Sequence, residues 1–132
     1  MAPGSISPGS FARFTRQNRL LTGADFDNVF KNCQRSADSV FTVLYRDNGL
    51  GYPRLGLAIA KKRVRHATRR NRLKRLIRES FRQAIPGIPS VDIVVLARDS
   101  AGVADNALIF ASLERHWRTL QERTGKTTTK IH

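Results

Sequence analysis

The side chains best equipped for chemistry in this chain are cations, and they crowd into one stretch. Residues 61–82, KKRVRHATRRNRLKRLIRESFR, hold eleven Lys and Arg against a single acid, Glu79. The whole chain of 132 residues has 24 Lys+Arg and 10 Asp+Glu, a formal charge of +14, so this stretch supplies most of the excess. Guanidinium forks match two phosphate oxygens at once, ammonium groups act as point charges, and a field of this sign attracts polyanions and speeds their association. A nucleic acid is the first ligand such a stretch suggests, and an anionic membrane surface is the second. A basic domain that is merely soluble is the bland alternative.

Covalent catalysis has far less to work with. The three histidines are His66, His116 and His132, and nothing in the sequence sets any of them beside a nucleophile or a paired carboxylate. The acids are scattered, without the clustering that two-metal nucleases use to hold Mg²⁺. A P-loop, a GxSxG elbow and an HExxH helix are all absent. Lys61 and Lys62 are candidate phosphate contacts, although they lie outside any glycine-rich cradle. Cys33 is the single cysteine, which excludes an internal disulfide and a paired-Cys zinc site and suits a reducing compartment. The reading is therefore of a chain with no catalytic residues and no metal ligands of its own.

The basic stretch also has an apolar order. Leu73, Leu76, Ile77, Phe81 and Ala84 follow the spacing of one helix face, which predicts a helix from about Ala67 to Ala84 that stops at Pro86-Gly87. At about 100° per residue, Arg72, Lys74, Arg75, Arg78 and Arg82 fan over the opposite side. Cations this close repel one another and disfavour the helix, and a polyanionic partner relieves that repulsion.

The surrounding elements are expected to present this helix. Thr22 reads as an N-cap with Asp25 as its capping-box partner and Leu21 stapled to Phe26. The helix they open runs to about Asn32, with Phe26, Val29, Phe30 and Cys33 along one face. Val40–Arg46 alternates as a strand, placing Phe41, Val43 and Tyr45 together. The turn residues of Asp47–Pro53 predict a hairpin into a second strand, Arg54–Ala60. That strand has a large face of Leu55, Leu57 and Ile59 and a small face of Gly56, Ala58 and Ala60 that something can approach closely. Val91–Arg98 is a third strand. A last helix from about Asp105 to Arg123 turns Ile109, Leu113, Trp117 and Leu120 inward. These elements make an α+β fold with helices on a small sheet. Residues 1–17 read as a flexible basic arm, 18–123 as a single nucleic-acid-binding domain and 124–132 as a flexible tail. No apolar run is long enough to span a membrane, and the first residues lack the apolar core of a secretory signal.

Residues 64–78 carry a more specific pattern. The spacing V-x-x-A-x-x-R-N-R-L-K-R-x-I-R, from Val64 through Ala67, Arg70, Asn71, Arg72, Leu73, Lys74, Arg75 and Ile77 to Arg78, resembles the RNR signature of the bacterial ribonuclease P protein subunit. Asn18–Leu21, Asp25-Phe26, Val29–Lys31, Leu57–Lys62 and Ile93–Arg98 extend the resemblance over roughly residues 18–120. It implies a two-layer αβββαβα sandwich whose basic helix lies in a left-handed βαβ crossover, where general rules favour the right-handed form. It also implies an accessory subunit of an endonuclease that removes the 5′ leader of precursor tRNA. The chemistry then belongs to a catalytic RNA and the Mg²⁺ which that RNA requires, with no cofactor on the protein. The implied partners are the ribonuclease P catalytic RNA and precursor tRNA in the cytoplasm, with neither membrane nor DNA. By the same resemblance, Arg70, Asn71, Arg72, Lys74, Arg75 and Arg78, with Lys61 and Lys62, face the catalytic RNA. Phe26, Phe30 and Tyr45 line a cleft for the single-stranded leader, where aromatic faces stack bases with little sequence preference. Periodicity alone favours the core for Phe26 and Phe30; the resemblance implies partial exposure. The competing reading of the charge is a ribosomal or RNA-chaperone protein with no role in cleavage. A DNA-binding architectural protein is a third class, and the chain lacks a recognisable helix-turn-helix for it.

Overall fold

A computed structural model of the chain describes Arg19 and residues 22–130, with side chains as far as Arg123. The first helix, α1 (Gly23–Lys31), opens as its sequence dictates. Thr22 Oγ1 accepts the Asp25 N–H at 3.1 Å and Asp25 Oδ2 accepts the Thr22 N–H at 3.2 Å, the reciprocal capping box. Such a cap stabilises a short helix by about 1 kcal/mol. Leu21, the expected staple, lies outside the described residues.

Strands β1 (Gln34–Ala37), β2 (Phe41–Asp47) and β3 (Arg54–Ala58) follow, then helix α2 (Ala67–Ala84), strand β4 (Val91–Ala97) and helix α3 (Asn106–Lys130). Single 3₁₀ turns at Ile85–Gly87 and Asp99–Gly102 stop α2 and lead into α3. The bounds of α2 are those its periodicity predicts. Strand β1 carries no sequence signal because its residues, QRSA, offer no apolar alternation.

The sheet order is β1-β2-β4-β3. Strand β4 is antiparallel to β2 and parallel to β3, so α2 is the crossover of a parallel βαβ unit. The expected hairpin between β2 and β3 does not form, because β4 lies between them. The turn residues are used differently. Asn48 N–H donates to the Ser90 carbonyl at 3.1 Å, and Asn48 Oδ1 accepts the Leu50 N–H at 2.8 Å and the Ser90 hydroxyl at 2.7 Å. Gly51 N–H donates to Ser90 Oγ at 2.8 Å, and Gly49 and Gly51 take φ of 68° and 88°, which only glycine adopts cheaply. The loop is thereby fastened to the residue that precedes β4, and it delivers β3 to the far side of that strand.

Alternation along the strands sorts two apolar clusters. On one face Phe41, Val43, Tyr45, Leu55, Ile93 and Val95 meet Leu73, Leu76, Ile77 and Phe81 of α2 and Ile109, Leu113, Trp117 and Leu120 of α3. Phe81 and Trp117 meet edge to face with centroids 5.8 Å apart. On the other face Val94, Leu44, Leu96 and Ala58 pack with Phe26, Val29 and Cys33 of α1 and the turn after it.

One carboxylate joins the first hairpin to the last helix. Asp38 Oδ1 accepts the N–H groups of Val40 and Phe41 at 2.9 Å each, closing the β1–β2 turn. Its Oδ2 accepts Ser112 Oγ–H at 2.6 Å and Arg115 Nη2–H at 3.1 Å from α3. His116 is buried beside it, with Nε2 at 3.3 Å from Asp38 Oδ2 in poor alignment and Nδ1 at 2.7 Å from Ser36 Oγ. Burial pushes the Asp38 pKa up, but the Phe41 amide, the Ser112 hydroxyl, the Val40 amide and His116 together hold it well below the usual carboxylate range. Burial pushes the His116 pKa down, opposed by the Asp38 charge.

Both shifts have the same consequence. Asp38 stabilises the fold fully above an ordinary carboxylate pKa of about 3.9, and this is lost as pH falls through its lower folded value. The neutral His116 stabilises it above about 6.5, and that too is lost on acidification. Asp38→Asn should cost about 1–3 kcal/mol at pH 7. Thermal unfolding from pH 7 to pH 3 should show a shallower acid decline in the variant than in the parent. Parallel declines would mean that another group sets the acid limb.

Candidate nucleic-acid interface

Helix α2 divides into three sides. Leu73, Leu76, Ile77, Ser80 and Phe81 are buried and anchor it, with Ser80 Oγ accepting the Trp117 Nε1–H at 2.8 Å. A second side faces α3. There Arg72 Nη2 donates to the Ala104 carbonyl at 2.8 Å and to Asn106 Oδ1 at 2.6 Å, and Nε donates to the same oxygen at 3.2 Å. The third side is open and carries Asn71, Lys74, Arg75 and Arg78, of which Asn71, Arg75 and Arg78 are exposed and Lys74 is half-buried.

The predicted signature residues therefore do not act alike. Arg72 spends its guanidinium on the start of α3. Arg70 turns back, its Nη1 donating to the carbonyls of Val64 at 3.0 Å and Arg65 at 2.9 Å. That bond fixes the segment entering α2, which Val64 anchors in the core and which is wound by Arg63 and Val64 N–H groups donating to Ala60 O at 3.1 Å each. Lys61 and Lys62 stand exposed on this segment. The first turn of α2 holds no acid and His66 gives no side-chain cap. Its free N–H groups and positive dipole end therefore add to the attraction for anions.

A groove of about 780 Å³ opens on the same sheet face as α1. Its floor is Thr42, Leu44, Ala58 and Leu96, and its walls carry Arg35, Lys62, Arg63 and Arg98. The small side of β3 does border this space through Ala58, but the strand ends there, two residues short of the expected bound, and Ala60 borders the groove from the segment after it. Asp99 is the acid at the rim, at 3.3 Å from Arg63 Nη1 in an exposed pair. Arg35, Arg63 and Arg98 were not marked by spacing. They come from three separate segments, and only strand pairing brings them to one groove.

The three aromatic residues expected in a single cleft occupy three environments. Tyr45 lies on the opposite face of the sheet, 1% exposed in the main core, with its hydroxyl donating to Gln34 Oε1 at 3.2 Å and accepting from Arg123 Nη1 at 2.9 Å. Strand parity forces this, since Tyr45 shares a face with Phe41 and Val43, and no cleft assignment survives for it. Phe26 is half-buried against the β4 face and also borders a small notch at β3. Phe30 is 47% exposed. Neither phenylalanine lines the large groove.

Fold and surface together define a class: a small basic α+β protein with a cationic helix ridge beside a cationic groove. The ribonuclease P family model matches residues 14–121. The ribonuclease P protein component of Methylococcus capsulatus is 45% identical over 116 residues, covering 88% of this chain and 91% of that protein. The component from Salmonella arizonae is 49% identical over 105 residues, covering 80% and 88%. Among solved structures, the Staphylococcus aureus RNase P protein superposes with a TM-score of 0.72 at 34% identity, over 77% of this chain and 93% of that one. The Thermotoga maritima RNase P protein gives 0.70 at 36% identity, over 76% and 96%. The chain belongs to the ribonuclease P protein family, the protein components of the endoribonuclease that matures tRNA 5′ ends.

The division of α2 separates two arginines that a charge count treats alike. Arg72→Ala should lower stability by about 1–2 kcal/mol through loss of its bonds to Ala104 and Asn106. Arg75→Ala, on the open side, should leave the unfolding temperature within about 2 °C, since surface changes stay within about 0.5 kcal/mol. Thermal melts of the two variants decide this, and equal losses would remove the distinction.

Proposed function

We propose that this chain binds the catalytic RNA of ribonuclease P through the open side of α2, and the single-stranded 5′ leader of precursor tRNA through the groove on the α1 face. The observation that carries the reading is the pairing of two cationic surfaces of different shape. One is a convex ridge of Asn71, Arg75 and Arg78, suited to the phosphates of a folded RNA. The other is a concave groove walled by Arg35, Lys62, Arg63 and Arg98 and floored mainly by apolar side chains that unstacked bases can lie against.

Cleavage itself is assigned to the RNA and the Mg²⁺ that the RNA requires. Three of the protein's carboxylates are committed to its own fold. Asp92 receives Arg54 Nε and Nη2 at 2.8 and 2.7 Å, Glu79 is held by Arg82 and Gln83, and Asp38 closes the first turn. The protein contributes affinity and discrimination, holding precursor tRNA more tightly than mature tRNA, which lacks the leader. No helix among the described residues is long and apolar enough to cross a membrane, and the cytoplasm, where tRNA is processed, is the proposed site of action.

The test is cleavage of precursor tRNA at low Mg²⁺ by catalytic RNA with and without the protein, beside RNA-free protein alone. Stimulation by the protein, with no cut by the protein alone, is the expected result. Accurate leader removal by RNA-free protein, or no stimulation of the RNA, would overturn the reading.

A further inference from the structure

One wall residue of the large groove is held by nothing on its own side of the sheet. Arg35 belongs to β1, whose four residues, QRSA, bring no apolar side chain larger than alanine to any core. Among the described residues no hydrogen bond or ion pair fixes the Arg35 side chain. Its neighbours in the wall differ. Arg63 is paired with Asp99, and Arg98 follows the buried Ala97, with its N–H on the Val40 carbonyl at 2.9 Å. The place of the Arg35 guanidinium is therefore set by the backbone of β1.

That backbone is gripped from the far side of the sheet. Register puts Arg35 opposite Leu44 and Ala37 opposite Thr42, both in the groove floor, while Gln34 and Ser36 lie opposite Tyr45 and Val43 on the helix face. Ser36 Oγ and His116 Nδ1 are 2.7 Å apart. Arg123 Nη1–H donates to the Arg35 carbonyl at 2.8 Å and to the Tyr45 hydroxyl at 2.9 Å, and that hydroxyl donates to Gln34 Oε1 at 3.2 Å. Ser112, His116 and Arg123 recur at i, i+4 and i+11, the spacing of one helix face. Beside its apolar stripe, α3 thus carries a polar one matched to β1 and the turn after it.

Resting on the groove reading above, we infer that Ser36, His116 and Arg123 are positioning residues for the leader: they touch no RNA, and through β1 they hold Arg35 in the wall of a groove on the opposite side of the sheet. His116 makes that hold sensitive to acid. The charged groups facing its ring are Asp38, from the turn after β1, and Arg115, from its own helix, while Ser36 and Ser112 are neutral. Asp38 Oδ2 already accepts from Ser112 and Arg115, so a protonated ring is a second cation in a buried site with a poorly aligned partner. The neutral ring holds β1 fully above about pH 6.5, and the hold weakens as pH falls through the lower folded pKa of His116.

The experiment reconstitutes the full chain with catalytic RNA and measures affinity for precursor and mature tRNA between about pH 8 and pH 5. The variants are Arg35→Gln, Ser36→Ala, Arg123→Gln and His116→Asn, each checked by thermal melt and by affinity for catalytic RNA. Arg35→Gln should weaken precursor binding several-fold at pH 8, spare mature tRNA, and flatten the log–log salt slope by about 0.7, one phosphate contact on a single strand. Ser36→Ala and Arg123→Gln should each lose part of the same discrimination while binding catalytic RNA like the parent. Asparagine sets an amide atom where Nδ1 stands and does not titrate. His116→Asn should therefore match the parent at pH 8 and keep its discrimination at pH 5, where the parent falls to the level of Ser36→Ala. A merely structural role would lower catalytic-RNA affinity in step and give His116→Asn no advantage in acid. If Arg35→Gln loses discrimination while Ser36→Ala, Arg123→Gln and the parent at pH 5 all keep it, the positioning role is overturned and the groove stands. If Arg35→Gln discriminates like the parent, the groove reading fails at this wall and the positioning role goes with it.

Discussion

Everything functional in this molecule depends on keeping a helix of like charges folded and in place. The cations of α2 repel one another, and Glu79, paired with Arg82 and Gln83, is the one acid along its length. Helix propensity alone does not overcome that repulsion. Burial does, because Leu73, Ile77 and Phe81 are completely withdrawn from water, and each contributes on the order of 2 kcal/mol. The seam with α3, where Phe81 meets Trp117 and Trp117 donates to Ser80, makes that burial specific rather than merely greasy. The apolar stripe is thus the condition for the cationic one.

Hydrogen bonds then decide where the charges point. Arg70 secures the approach to the helix and Arg72 secures its neighbour, so two signature arginines stiffen the platform that the others stand on. At the opposite end of the sheet a second polar cluster does comparable work. Asp92 is nearly buried on the central strand, and Arg54 on β3 meets it with two parallel hydrogen bonds while Asn48 donates to it at 2.9 Å. That bond raises the Arg54 pKa further. A carboxylate so placed is tolerable only with its partner present, so the pair fixes β3 against β4 in one register and, through β3, fixes Ala58 in the floor of the groove.

Much of this was legible from the residues. The bounds of α2, the capping box of α1, the faces of β2 and β3 and the apolar side of α3 all follow from spacing, because each is set by contacts within one element. What was not legible depended on partners far away in the chain. Alternation puts Tyr45 on one face with Phe41 and Val43, but only the packing of α2 and α3 on that face makes it core and sets aside the cleft role that the resemblance implies. Asn48, Gly49 and Gly51 read as a hairpin turn, but Ser90 captures the hydrogen bonds of Asn48 and Gly51 and the loop sends β3 past β4. Gln34–Ala37 has no pattern at all and becomes a strand because β2 offers it an edge. Arg72 and Arg75 are indistinguishable by type, and position around the helix axis separates a clamp from a ligand contact. The wall of the groove, assembled from Arg35, Arg63 and Arg98, has no local signature of any kind.

The order of strands has a consequence for how the molecule is made. Strand β4 lies in the middle of the sheet yet is the last strand in the sequence, pairing Ala97 with Phe41 and Asp92 with Arg54. Chains emerge from their N-termini during synthesis, and pairings this distant in sequence are slow to form. Until β4 arrives, β2 and β3 each present an unpaired edge, and the apolar side of α2 has no sheet to cover it. The nascent chain is then a sticky polycation released among cellular RNA. The interval before the central strand docks, rather than the stability of the finished fold, sets its exposure to aggregation and premature capture.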